Sequence, residues 1–301
     1  MTTRRGFIVA AAGFAAAGAA GKASGLRVGF HAFSKNFQFL GREEFCELLA
    51  GIGMDGVEWC VRCGGHVEPS RVRREMPLAA KAAAANGLAA TMIVTRFTGG
   101  PRDEADAVET LKVCADCGVK TWRPGSFLYD RSKPLAANVA EISARFRRLE
   151  EISRASGVRC TYQNHLECFG GGVFDLLPVL EGLDPAHVAL QYDVMHAVFE
   201  TPVSWGRLLK AAAPRIANAC LKDCNALAEL KGDFWKTFRT VPAPSGVVPF
   251  EKYARLLREL DVSVPHSVHY EIPLPKGDRK ELADVMRKEL DYFKGVFGVP
   301  V

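Results

Sequence analysis

The sequence predicts an α/β protein, a single-domain (β/α)8 TIM barrel that follows an N-terminal export signal. Three observations carry this. Short runs of β-type composition alternate eight times with helical patterns of about 10 to 20 residues, the signature of a parallel sheet covered by helices. The eight units fill about 270 residues, the size of a closed barrel. No GxGxxG stands between the first strand and the first helix, so the fingerprint of the open doubly wound alternative is missing.

The elements follow in order. LRVGFHAFS (26–34) leads to the helix pattern REEFCELLAGIG, and GVEWC (56–60) to EPSRVRREMPLAAKAAAANG. LAATMIVTRF (88–97) is followed by EADAVETLKVCADCG, and VKTWRPGSF (119–127) by VAEISARFRRLEEISRASG. In each helix the apolar residues recur at helical spacing, and several patterns end in the glycine that closes a helix. VRCTYQNHLE (158–167) is the fifth strand, VALQYDVMHA (188–197) the sixth, with WGRLLKAAAPR after it. IANACLKDC (216–224) precedes PFEKYARLLRELD, and SVHYEIP (267–273) precedes the helix ELADVMRKELDYFKGVFG. With no interior linker or low-complexity tract, residues 25–301 read as one barrel domain.

Residues 1–24 differ in kind. A paired arginine, Arg4-Arg5, precedes an uncharged Gly/Ala-rich apolar run from Phe7 to Ala20, which is the layout of an export signal with cleavage near Ala17-Gly18-Ala19. The run is shorter than the roughly 20 apolar residues a span needs, so no stable membrane span is expected. Thr3-Arg4-Arg5-Gly6-Phe7-Ile8 resembles the twin-arginine motif, which implies export of a folded chain and a periplasmic location.

Composition is that of an ordinary globular protein: 48% hydrophobic, 24% charged. A net charge of +5, of which Arg4 and Arg5 supply two units, gives no support to a nucleic-acid partner. Nine cysteines are an odd count, so at least one is unpaired. Cys60/Cys63 and Cys114/Cys117 form two CxxC pairs, but the first follows a strand and the second ends a helix that has run back. A barrel's height, on the order of 15 Å for a five-residue strand, separates them, which excludes a shared zinc. Structural thiols or a local bridge are expected instead.

In such barrels chemistry gathers at the C-terminal ends of the strands. There this chain places His31, Glu58, Arg96, Arg123, Gln163, His165, Glu167, Asp193, His196, Cys220, Lys222, Asp223, His269 and Glu271. The two-residue period of TYQNHLE puts Gln163, His165 and Glu167 on one face. A single polar residue at a strand end is ordinarily a cap or surface group, and Lys222-Asp223 on its own reads as an exposed pair of small value. Convergence from several strands is harder to explain by structure alone, because buried unpaired charge is costly. The loop 225–245 brings Phe234, Trp235 and Phe238 with Lys231, Lys236 and Arg239, aromatics that either cover the mouth and stack on a sugar or pack the loop down.

GVEW (56–59), QNH (163–165), DVMH (193–196), CLKD (220–223), GVVPFEKYARLLREL (246–260) and HYE (269–271) together resemble the xylose isomerase-like TIM barrels, the sugar phosphate isomerases/epimerases. That family holds isomerases, epimerases and dehydratases and shares its fold with type IV AP endonucleases. The resemblance implies a divalent metal, zinc or manganese, held by Gln163, Asp193, Cys220 and Glu271, with Gln163 standing where a glutamate belongs and Cys220 where a histidine belongs. It implies Glu271 as the catalytic base and His196 as substrate-binding; their place at the strand ends adds His165 as a second catalytic group and His31, Glu58, Arg123 and Lys222 as substrate-binding. Thiolate suits zinc better than the hard ions of sugar isomerases, and a neutral amide cannot act as a general base. The expected function is a sugar isomerase/epimerase-like enzyme acting on a small sugar, polyol or oxidised glycoside; a metal-free, catalytically silent carbohydrate-binding barrel is the competitor. The partner is a small carbohydrate, and a homo-oligomer is an open option.

Overall fold

The computed structural model describes residues 26, 28–100, 104–225 and 237–300. The expected export segment 1–24 and the loop residues Lys231, Phe234, Trp235 and Lys236 lie outside them. Eight strands, β1 (Phe30–Phe33), β2 (Gly56–Cys60), β3 (Ala89–Val94), β4 (Thr121–Arg123), β5 (Arg159–Gln163), β6 (Val188–Asp193), β7 (Ile216–Leu221) and β10 (His266–Val268), pair in parallel as a closed barrel. β1 closes the ring by pairing with both β2 and β10. Between β7 and β10 a two-stranded antiparallel sheet joins β8 (Asp223–Cys224) to β9 (Thr240–Val241).

Side chains alternate across each strand, and the outward set meets the helix ring. Phe30 packs on Phe297 of the helix Arg279–Phe297. Trp59 meets Phe45 of the helix Arg42–Ile52, and Tyr162 meets Phe146 of Leu135–Ser156. Trp122 in addition donates its indole N–H to Ser153 Oγ at 3.1 Å, as a buried tryptophan requires. Tyr192 stacks on Tyr253 of Phe250–Glu259. The helix Leu135–Ser156 stops at Gly157, whose φ of 75° only glycine adopts cheaply.

The inward set is polar where apolar layers are usual. Asn218 Nδ2 donates to Thr121 Oγ1 at 3.1 Å, and Met92 Sδ and Thr161 Oγ1 each lie 3.4 Å away. Nearer the mouth, Glu58 accepts from Gln191 Nε2 at 2.8 Å and Ser267 Oγ at 2.6 Å, with His269 Nε2 at 3.3 Å. Above this floor lie the strand ends.

The strands stop sooner than the sequence suggests. β6 ends at Asp193, which caps the helix Val194–Glu200, and β10 ends at Val268. All nine cysteines are free: Cys60 is buried against Phe33 and Val94 while Cys63 is exposed, so the thiols take the structural role rather than a bridge. Among the described residues no helix is long and apolar enough to cross a membrane.

Candidate active site

Gln163, the last residue of β5, takes its orientation from its neighbours. Its Oε1 accepts from Arg123 Nη1, and its Nε2 donates to Asp193 Oδ2 at 2.7 Å and faces Cys220 Sγ at 3.5 Å. A guanidinium only donates and a carboxylate only accepts, so no other placement of the amide satisfies both. Arg123 also lies over the Phe33 ring, 5.0 Å from its centre.

Asp193 is held by its backbone and its side chain at once. Asn164 Oδ1 accepts its N–H at 2.7 Å, and Asn164 Nδ2 donates to its carbonyl at 2.9 Å. Asp193 Oδ1 accepts from the His196 N–H at 3.1 Å, and the same turn brings His196 Nε2 to 3.6 Å from Oδ2. D-x-x-H is thus a strand end running into a capped helix.

Lys222 follows β7, 3% exposed, with Nζ 3.5 Å from Asp193 Oδ2 and 3.2 Å from Glu271 Oε2. Burial opposes its charge, but Asp193 and Glu271 outweigh that and raise its pKa. Glu271 is likewise penalised by burial and rescued by Lys222 and then His269, which hold its carboxyl down at about 2. The expected exposed Lys222-Asp223 pair is therefore corrected: both are buried and they turn apart. Asp223 accepts N–H bonds from Cys224, Gly246 and Val248 at 2.9, 2.9 and 3.0 Å and anchors the stretch after β9. A side chain on Gly246 would collide with that carboxylate, its Cβ falling 2.3 Å from Asp223 Oδ1.

Burial pushes the Cys220 thiol well up, and Asp193 and Glu58 add to it, so it keeps its proton. Burial first and Lys222 second lower both His165 and His196, whose rings lie 4.2 Å apart, leaving the imidazoles neutral near pH 7. Burial lowers His269 as well, against the pull of Glu58.

A polar cavity of about 120 Å³ opens at the strand ends. Of the predicted residues Arg123, Gln163, His165, Lys222 and Glu271 line it. Asp193 and Cys220 lie beneath, both 0% exposed, and His196 lies buried beside them. His31 and Glu58 are not brought to the cavity. They point into the barrel two residues before Phe33 and Cys60, Glu58 in the floor network and His31 packed against Gly56 with no hydrogen-bond partner for either ring nitrogen. Glu167 leaves the face of Gln163 and His165: its φ is 57°, and its N–H is bonded to Glu200 Oε1. Sequence reasoning missed Lys35 and Arg62, cations on the cavity wall; each follows a strand by two residues, which is the one signal that marks them.

Of the four residues expected to hold a metal, Gln163 presents N–H groups and Glu271 is engaged by Lys222. Asp193 and Cys220 instead join His269, with one ligand atom from each within 4.8 Å of the others. The four-residue set does not fit a divalent ion, whereas the Asp/Cys/His cluster offers an oxygen, a sulfur and a nitrogen of the zinc-binding kind.

A closed parallel barrel with its ionisable groups gathered at the C-terminal strand ends has the active-site layout of TIM-barrel enzymes. The chain belongs to the xylose isomerase-like TIM barrel family, whose profile matches residues 46–295. D-psicose 3-epimerase from Clostridium cellulolyticum H10 superposes with a TM-score of 0.67 at 13% identity, over 89% of this chain and 99% of that one. For 3-keto-D-glucoside 4-epimerase from E. coli the values are 0.65, 15%, 90% and 99%. For the probable 3-DHS dehydratase from Bacillus anthracis they are 0.68, 14%, 86% and 98%. At these identities the likeness is one of fold. By sequence, no curated protein matches the chain.

Proposed function

We propose that the chain is a sugar isomerase/epimerase-like enzyme that moves a proton on the carbon next to the carbonyl of a small sugar, polyol-derived ketose or oxidised glycoside. One observation carries the reading: Glu271 is the carboxylate that reaches the cavity, its side chain 28% exposed, while Asp193 and Glu58 are sealed below. Glu271 takes the C–H proton, the C–H electron pair forms a C=C bond, and the carbonyl π pair moves onto oxygen to give an enediolate. Arg123 and Lys222 face that oxygen as cationic donors. In the empty site Lys222 makes Glu271 a weak base. When the ammonium turns to the developing oxyanion the carboxylate recovers basicity at the moment it is needed. Protonated Glu271 returns its proton to the neighbouring carbon, and neutral His165, on the same wall, relays the hydroxyl proton between the two enediolate oxygens, accepting at one ring nitrogen as it donates from the other.

No step passes through the zinc or manganese that the family resemblance implies. We further place the reaction outside the cytoplasm, in the periplasm, on the strength of residues 1–24.

The test is hydrogen exchange from D2O into a panel of small ketoses and 3-keto-glycosides, followed by NMR. We expect exchange at the carbon beside the carbonyl, reduced roughly 10²- to 10⁴-fold in Glu271→Gln with ligand binding retained, the range of a general base. Full exchange in that variant would remove Glu271 from the role, and binding without exchange by the native chain would leave a binding barrel.

A further inference from the structure

We propose that Lys222 and Gln163 take the electrostatic places of a divalent ion and of an anionic ligand, so that this site works without a bound metal. The chemistry assigned to Lys222 rests on the function proposed above; the statement about metal does not.

Gln163 stands between a group that only donates, Arg123, and a group that only accepts, Asp193. A carboxylate at 163 would bring a second negative oxygen to about the 2.7 Å at which the amide nitrogen meets Asp193 Oδ2. That contact is tolerable only with a cation between the two oxygens or a proton shared by them. The amide, donating its own N–H to Asp193, removes the need for either. Lys222 supplies a single positive charge where the carboxylates from the ends of β6 and β10 converge, within 3.5 Å of Asp193 and 3.2 Å of Glu271.

Charge balance points the same way. Asp193 and Glu271 are matched by Lys222 and Arg123, two charges against two, before Lys35 and Arg62 on the cavity wall are counted. A divalent ion added to this set would leave two uncompensated positive charges in a buried space. Such an ion would also have to displace Lys222 and Gln163, because Asp193 and Cys220 are 0% exposed beneath them. In the reaction the ammonium then does what a Lewis acid does elsewhere: it donates a hydrogen bond to the carbonyl oxygen as the C–H pair forms the C=C bond and the carbonyl π pair moves onto that oxygen.

The experiment uses the full chain, purified without a metal-binding tag and treated with chelator. It is titrated with Zn²⁺ and separately with Mn²⁺ by calorimetry, with elemental analysis of the untreated protein alongside. We expect no stoichiometric ion in the native chain and no saturable binding. The Gln163→Glu/Cys220→His/Lys222→Gln variant, folded by circular dichroism, should bind one Mn²⁺ per chain. One zinc per native chain, lost in Cys220→Ser, would overturn the proposal and assign the ion to Asp193, Cys220 and His269. Should the triple variant fail to fold, the native titration decides alone. Proton exchange that appears only on adding a divalent ion sinks this inference and spares the enzyme reading; no exchange and no metal does the reverse.

Discussion

Asn164 has no chemistry of its own, yet it sets that of its neighbour. Its amide takes both backbone groups of Asp193 and, at 3.2 Å, donates to the Gly171 carbonyl as well. Asn164→Ala leaves a buried N–H and a buried C=O unpaired, at roughly 1–3 kcal/mol each. We expect a loss of about 2–6 kcal/mol in urea unfolding and a fall in kcat larger than the change in KM. An unchanged midpoint would show that water takes over both bonds. The QNH stretch announces in sequence that polar groups gather here, but strict alternation misplaces Glu167. The strand ends after Gln163 because Asn164 spends its hydrogen bonds on the end of β6, and the chain turns away. His269 was visible only as one more polar residue at a strand end. Its part in both the floor and the Asp/Cys/His cluster depends on contacts with Glu58, 211 positions away in the chain, which no local pattern contains.

At the level of elements, the helix Arg279–Phe297 carries a buried carboxylate that the site does not use. Glu289 Oε1 accepts from the Ala243 N–H at 2.9 Å, and its Oε2 has no partner. Burial pushes its carboxyl up to about 7, and the Asp223 charge adds to the shift. The folded pKa lies above the unfolded value near 4.3, so the neutral form's stability is fully present below that value and is lost as pH rises through about 7. The difference is on the order of 3 kcal/mol. Glu289→Gln should abolish the decline between those pH values and melt a few degrees higher at pH 8. A melting profile parallel to that of the native chain would refute it. The longer helices were legible because each carries an apolar stripe; Leu177–Glu181 and Val194–Glu200, five and seven residues long, were not, the second being read as the end of the sixth strand. β8 and β9, two residues apiece, were not, since two residues have no period.

The whole molecule was the most legible level: eight alternations in the length of one barrel leave few topologies open, and the closed parallel ring follows. The paired arginine leads to a prediction at the same scale. Arg4→Lys/Arg5→Lys, with the apolar run intact, should leave the folded chain in the cytoplasmic fraction while the native chain appears in the periplasmic one; equal partition would reject the twin-arginine route. The polar floor has a further consequence. Sliding β2, β6 or β7 by one residue would rotate Glu58, Gln191 or Asn218 out among the aromatic residues of the helix ring and strand their partners. Topology is therefore encoded one storey below the mouth. The mouth is left free to vary, and the amide at 163 and the thiol at 220 stand outside the bonds by which Glu58 and Asn218 fix the register.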